Sequence, residues 1–484
     1  MIEKDFANLA IDTATRLGAS YADARVIRLR KETIEIRNGE VFAITNNLEV
    51  GIGVRVIVDG AWGFAGNPDL RPDKVEIAAK RAVEIARASA MLSHKQVILS
   101  PLQKVEAVWN SPLIIDPFKV SLEEKLKLLF ATDKEMRSIK GITITESTMD
   151  LWDEWQLFMN TEGSCIEQRI VQSGAGISAT AVSPDELQVR TFPSSFRGDY
   201  KSAGYEFINN MKLVENAAKT AEEAVALLKA KQCPADVKTL ILGGSQLALQ
   251  VHESCGHPVE LDRVLGMEAN YAGTSFMTID KLNKLQYGSP IVNIIADGTC
   301  PGGLGTFGYD DEGVPAQKDY IIKEGRFVGY LTSRETAGEV GRTSNGTMRA
   351  EGWNNLPIIR MTNINLLPGD TDYAEMVETT DDGILMTNNR SWSIDDKRIN
   401  FQFGAEIGWE IKNGKITGMV KNPTYTGITP EFWNSCNAIA NEKYYNIWGT
   451  PNCGKGQPPQ TARVAHGVSY ARFSNVKVGV GYAG

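Results

Sequence analysis

Residues 21–64 read YADARVIRLRKETIEIRNGEVFAITNNLEVGIGVRVIVDGAWGF. Short runs rich in Val, Ile, Thr and Phe alternate with polar residues at a period of two, the pattern of strands with one buried face. Asn38-Gly39 and Asp59-Gly60 interrupt these runs, and such pairs favour the tight primed turns that match the twist of a β-hairpin. The stretch is expected to be an antiparallel meander. Helical patterns flank it. Upstream, Phe6, Leu9, Ala10, Ala14 and Leu17 recur at helical spacing, and Gly18 follows where a C-cap glycine would end the helix. Downstream, Val75, Ala78, Ala79, Ala82, Ile85 and Ala86 form one face of a second helix.

The same order returns further along. A Leu- and Lys-rich helix near 121–137 precedes alternating runs (ITITESTMDLW, WQLFMNTEG, CIEQRIVQSGAGISATAV), and a long amphipathic helix near 210–230 follows them. The resemblance between the two units suggests a loose structural duplication without a residue-level repeat. From Cys233 onward glycine becomes frequent and strands separated by turn signals run to the end, with one clear interior helix at 245–257. The expected fold class is α+β. Two N-terminal helix and antiparallel-sheet units (1–95 and 112–230) are followed by a β-rich C-terminal domain (233–484) that carries the helix with the most informative motif.

Length and charge narrow the function. At ~150 residues per domain, 484 residues suggest about three compact units. With 51 basic and 59 acidic side chains the formal charge is −8, which argues against an electrostatic grip on nucleic acid. The N-terminal pattern is an acid-bearing amphipathic helix rather than a secretion signal, and there is no run of ~18 apolar residues to span a membrane. A cytosolic protein without membrane partners is expected. Its six dispersed cysteines then fit buried thiols or metal ligands better than disulfides.

The chain has only four histidines, and two of them lie in SQLALQVHESCGH (245–257). Ser245 is a natural N-cap, and Leu247, Val251 and Cys255 form a core-facing stripe. His252 and His257 are five residues apart, ~140° around an ideal α-helix, too far to share a metal. Gly256 disfavours regular helix and Pro258 biases His257 away from α geometry, so the last turn is expected to unwind or widen and bring the rings together. Two neutral imidazoles and one further ligand would hold Zn²⁺, and Glu253, adjacent to a ligand but not itself one, is the candidate general base. The competing reading is that both histidines cap a helix end. His94 and His466 lack a partner pattern and are read as structural. For the third ligand, Cys255 is better placed as a small core residue. Cys453, in the Pro- and Gly-rich WGTPNCGKGQPPQ, is read as lying in a rigid loop with Lys455 near enough to favour a thiolate. On the residues alone, one more buried thiol is the favoured reading.

HESCGH, followed by DDEGVPAQ, RAEGWNNLPIIRMTN and NCGKGQ, resembles the TldD/PmbA family of cytosolic metalloproteases over nearly the whole chain, and GVRVIVDGAWGFAG extends the likeness to the family's first domain. The full H-E-x-x-x-H marks the catalytic, TldD-like members. The resemblance implies zinc ligands at His252, His257 and Cys453 and a general base at Glu253. It also implies a dimer, homodimer or heterodimer with a motif-lacking TldE/PmbA-like paralogue, enclosing a cavity in which unfolded peptides are cut. Peptides would bind as an added strand, with little sequence preference. Gly305 in GGLGTFGYDDEG, and Arg342, Asn345 and Arg349 in the segment 341–363, are candidates to line the cleft; both arginines are open to a structural role as well. Asp310, Asp311 and Glu312 are read as a solvated turn. Two alternatives from other classes stand beside the peptidase: a non-catalytic regulatory subunit, as the family label modulator of DNA gyrase suggests, and a zinc hydrolase of small amides.

Overall fold

The computed structural model describes residues 2–93 and 95–479; His94 therefore lies outside the described residues. Helix α1 (Ile2–Arg16) leads into β1 (Tyr21–Arg37), β2 (Glu40–Val58) and β3 (Ala61–Asn67), and α2 (Pro72–Ala90) follows. The meander is present. Both turn pairs adopt positive φ, 50° and 82° at Asn38 and Gly39 and 52° and 78° at Asp59 and Gly60, the backbone that a type I′ hairpin turn demands. Next come β4 (Glu106–Asn110), α3 (Leu122–Arg137), β5 (Ile142–Asn160), β6 (Cys165–Val182), β7 (Leu187–Phe192), β8 (Asp199–Lys201), α4 (Tyr205–Asn210) and α5 (Leu213–Leu227). Ser121 caps α3 by accepting a hydrogen bond from the Glu124 amide.

The two helix-and-strand units share one sheet. β1 pairs antiparallel with β5 from Asp23↔Asn160 to Arg37↔Glu146. The strand order is β3-β2-β1-β5-β6, and β4, β7 and β8 divide the outer edge of β6 between them. β3-β2-β1 thus faces β7-β6-β5 across a central antiparallel pair, a two-fold-like arrangement in keeping with the repeated order of elements.

Period two explains how both faces of this sheet become buried. Along β1, Ala22, Ala24 and Val26 enter the apolar cluster beneath α1 and α2, whereas the alternate residues Asp23 and Arg25 are buried on the opposite face. There they meet the C-terminal domain. The Arg55 guanidinium bonds Asp23 at 2.7 Å and Glu312 at 3.2 Å, Gln156 donates to Asp311 at 2.8 Å, and the Arg334 amide donates to Glu312 at 2.7 Å. Asp310 accepts from the amides of Glu312, Val314 and Met348. The solvated turn expected for these three acids is therefore corrected: all three are buried. Their partners come from strands some 150 to 290 residues upstream and from segments downstream, so no local pattern announces them. Gly51 belongs to the same junction, since a Cβ there would lie 2.3 Å from the Trp353 ring.

β9 (Lys231–Gln232), β10 (Asp236–Leu242) and α6 (Gly244–Val251) open the C-terminal domain. It continues through α7 (Leu261–Val264), α8 (Ala269–Ala272), β11 (Ile294–Asp297), β12 (Lys318–Lys323), β13 (Arg326–Phe327), β14 (Met348–Arg349), β15 (Ile358–Ile359), β16 (Ile364–Leu366) and α9 (Tyr373–Glu378). The last elements are β17 (Asp382–Ile394), β18 (Asn400–Lys412), β19 (Lys415–Lys421), β20 (Thr424–Ile428), α10 (Thr429–Asn434), β21 (Cys436–Ile439), β22 (Asn446–Lys455), β23 (Gln460–Val468) and β24 (Ala471–Val478). The main sheet runs β17-β10-β24-β20-β18-β19-β9, and a further β17–β18 pairing closes five of its strands into a ring. Every residue of α6 from Ser245 to Val251 is buried, so this is a core helix, covered on all sides although three of the seven residues are polar. Tyr425 links its two glutamines: the hydroxyl accepts from Gln246 and donates to Gln250 Oε1, both at 2.9 Å. The short helices α7 to α10 are additions to the single helix foreseen for this domain. No helix among the described residues is long and apolar enough to cross a membrane.

One contact between the halves carries a pH dependence. Asp199 Oδ1 accepts from the amides of Gly449 (2.8 Å) and Tyr200 (2.9 Å), and burial, outweighing these bonds, pushes its carboxyl up to about 6. A carboxyl raised above its unfolded value of ~3.9 binds more protons folded than unfolded, so its ionisation lowers stability as pH rises from about 4 to about 6. Asp199→Asn keeps an acceptor and removes that charge. It is expected to raise stability at pH 7.5 by up to ~3 kcal/mol and to have no such advantage at pH 4. Urea denaturation midpoints at the two pH values check this, and an equal effect at both would contradict it.

Candidate metal centre

The spacing problem of His252 and His257 is solved by widening the helix. Beyond α6, residues His252–Gly256 form a π-helical turn and His257–Val259 a 3₁₀ turn, and the His257 amide donates to the His252 carbonyl. In that i→i+5 register the two residues stand one turn apart rather than on different faces. The imidazole planes meet at 87° with centroids 4.9 Å apart. The devices differ from those expected. His257 keeps α geometry (φ −64°, ψ −41°) despite the following proline. Gly256 has an ordinary φ of −59°; a Cβ there would lie 2.3 Å from the Met361 sulfur, so a larger residue would have to displace that side chain. Ser245 is not the N-cap, which is Gly243.

The third donor arrives from the other end of the domain. Cys453 lies on β22, not in a loop, where the β22–β23 register shifts between Thr450 and Cys453; such a bulge re-aims a side chain. Its Sγ is 3.5 Å from His252 Nε2 and 3.7 Å from His257 Nε2. The donor atoms of the three residues all lie within 4.8 Å of one another, and all three side chains are buried. Tetrahedral zinc with Zn–N near 2.0 Å and Zn–S near 2.3 Å separates N and S ligands by ~3.5 Å. The donors therefore suit that ion in number and type, and the two N–S distances match its ligand separation.

Charge favours the same conclusion. Burial alone would raise the Cys453 thiol, but His252, His257 and Arg360 outweigh it and hold the thiol well below its usual value. Arg360, which also donates to the Cys453 carbonyl, does what was expected of Lys455. The Lys455 ammonium is instead spent on Asp262, at 2.6 and 2.8 Å, and on the Ile359 carbonyl. Burial lowers His257, yet Cys453 and Glu260 overcome it and raise the imidazole to about 9. A metal that binds here competes with a proton for His257, since an imidazole ligand must be deprotonated at the ligating nitrogen. Cys255, packed in the apolar cluster, has its thiol raised by burial.

Three supporting side chains were not identified from the sequence. His257 Nδ1 lies 2.9 Å from Glu260 Oε2, an i+3 acid visible in HPVE. His252 Nδ1 lies 2.7 Å from His466 Nε2, so His466, read as merely structural, stands against the centre. Glu253 is buried and bonded by the Arg398 guanidinium, which projects from the turn between β17 and β18 with φ 65°. Burial opposes ionisation of Glu253, but Arg398 and both motif histidines hold its carboxyl below the usual range. Nothing in the local text marks Arg398.

The four cleft candidates make architectural contacts. The Gly305 amide donates to Asn363 Oδ1 at 2.9 Å, Arg342 donates to the Val328 carbonyl at 2.9 Å, and Asn345 bonds Thr332 and the Tyr330 carbonyl. Arg349 donates to the carbonyls of Met361 and Arg463.

A turn of helix bearing two histidines and an acid, closed by a strand cysteine, has the donor set of a metallopeptidase centre. The chain belongs to the PmbA/TldA metallopeptidase family: residues 22–86, 115–231 and 238–480 match its domain 1, central domain and C-terminal domain. A metalloprotease of Methanocaldococcus jannaschii is 32% identical over 84% of this chain and 86% of its own. A protein of Saccharolobus solfataricus named zinc metalloprotease TldD homolog is 22% identical over 97% and 98%. Among solved structures, a putative modulator of a DNA gyrase from Thermotoga maritima superposes with a TM-score of 0.78 at 17% identity, covering 98% of this chain and 99% of that one. TldE from Thermococcus kodakarensis gives 0.73 at 16%, covering 99% and 100%.

Proposed function

We propose that this chain is a cytoplasmic zinc-dependent peptidase that hydrolyses unfolded peptides or small proteins with little sequence preference. The observation that carries the reading is the convergence of His252, His257 and Cys453 within 4.8 Å, with Glu253 next to a donor. Zinc held there would supply Lewis-acid polarisation of a peptide carbonyl and ease the deprotonation of water. The chain's own residues do the rest. Glu253 receives the proton of the attacking water and passes it to the departing amine. Arg398 fixes the Glu253 carboxylate and keeps it ionised. Among the described residues β22 pairs with no strand but β23; its Gly449 amide and Cys453 carbonyl are already bonded by Asp199 and Arg360, so an extended peptide added to this strand would use its remaining backbone groups. Gly305, Arg342, Asn345 and Arg349 remain the candidates for the walls of the cleft.

The assembly we infer is a dimer around a closed cavity, either of two copies or with a motif-lacking TldE/PmbA-like paralogue; the likeness to a solved TldE supports the latter. The complete donor set weighs against the alternative of a non-catalytic regulatory subunit, and the formal charge of −8 weighs against direct contact with DNA. The purified chain is expected to carry about one zinc and to cut denatured casein, with chelation abolishing cleavage and zinc restoring it. Metal analysis and peptide release check this. A folded chain that takes up no zinc would defeat the reading.

A further inference from the structure

The four histidines of this chain include one whose hydrogen bonds decide what another can do. His466, on β23, is wholly buried. Its ring stands at 84° to that of His252 with centroids 4.8 Å apart. Its Nδ1 is 3.0 Å from the Ile364 carbonyl, and its Nε2 is 2.7 Å from His252 Nδ1. A carbonyl only accepts, so His466 Nδ1 carries a hydrogen, and in a neutral ring Nε2 is then a bare acceptor. His252 Nδ1 must be the donor to it. With its hydrogen on Nδ1, His252 leaves Nε2 bare, and that is the nitrogen 3.5 Å from Cys453 Sγ.

We infer that His466, oriented by the Ile364 carbonyl, is a positioning residue that locks His252 in the one neutral tautomer able to ligate a metal through Nε2. The inference rests on the metal-centre reading above. Metal-ligating histidines commonly donate their second N–H to a carboxylate, a carbonyl or water. His257 does so, through Glu260. At His252 the partner is an uncharged imidazole instead, which orients the ring without adding negative charge. The backbone holds the relay from both sides: Asn363 bridges to Ala465, and the Gly467 amide donates to Asn365 Oδ1 at 2.7 Å.

The test compares His466→Gln with His466→Asn by chelator competition for zinc at fixed pH. The Gln amide oxygen reaches the place of Nε2 and can accept from His252, whereas Asn is one methylene shorter and reaches only toward Ile364. We expect Asn to weaken zinc binding by ~10–100-fold, the usual cost of losing an outer partner, and Gln to recover most of that loss. Zinc affinity unchanged in Asn, or equally reduced in both, would overturn the inference, since simple packing makes no such distinction. A wild-type chain without zinc affinity would defeat the metal reading itself, independently of His466. With so few histidines, ¹⁵N-histidine spectra of the wild-type protein also read the tautomers directly and require no variant to fold. His466 is expected to carry its hydrogen on Nδ1 alone; finding it on Nε2 would equally overturn the inference.

Discussion

Glu253→Gln is expected to keep the zinc and lose hydrolysis by roughly 10²–10⁴-fold, the range over which a positioned general base contributes. Glutamine is nearly isosteric and still offers an oxygen to the Arg398 guanidinium, which in the wild type bonds the carboxylate. The variant therefore keeps an acceptor for the partly buried Arg398, although it no longer neutralises that charge. What it removes is the ability to accept and return a proton. Zinc content, circular dichroism and peptide release together separate the effects. Full activity in a zinc-loaded variant would sink the proposed role of Glu253; loss of the metal would mean that the side chain holds the centre together.

The second large effect concerns the two cysteines nearest the motif in sequence and in space. Cys453→Ser should weaken zinc binding by more than the ~10–100-fold that outer partners cost, because a serine hydroxyl does not ionise as the thiol does. Cys255→Ser should leave zinc binding unchanged and cost stability instead. Cys255 is buried in the apolar cluster with Leu247, Val251 and Tyr287, where a hydroxyl without a full set of partners is penalised by ~1–3 kcal/mol. Chelator competition and thermal denaturation of the two variants check the contrast. The reverse pattern would transfer the ligand to Cys255 and require the π turn to rearrange.

What the sequence revealed and what it concealed divide along the distance between partners. Asn38-Gly39 and Asp59-Gly60 encode their own backbone, so the hairpins could be read directly. The widened turn at His252–His257 was legible as a necessity, since two ligands at that spacing demand it, but its cause was not. Gly256 answers to Met361, a contact across 105 residues that no local pattern announces. Asp310, Asp311 and Glu312 look like a surface turn until Arg25, Arg55 and Gln156 are brought over them. Cys453 stood in text dominated by Gly and Pro, which reads as loop, whereas the structure uses that text for an irregular hairpin. His466 had no motif at all, and its role follows from a carbonyl on a neighbouring strand.

The shared sheet of the first half bears on how this protein can be taken apart. The strands on either side of the linker between α2 and α3 lie against each other through fifteen residue pairs, from Asp23↔Asn160 to Arg37↔Glu146. A fragment that stops in that linker would uncover the whole length of β1, and one that starts there would uncover β5. Each would present a long unpaired ladder of amides and carbonyls, a template for aggregation. The sequence units are thus not independent folding parts but two halves of one object, and dissection experiments should keep β1 and β5 in one fragment rather than cut near residue 100.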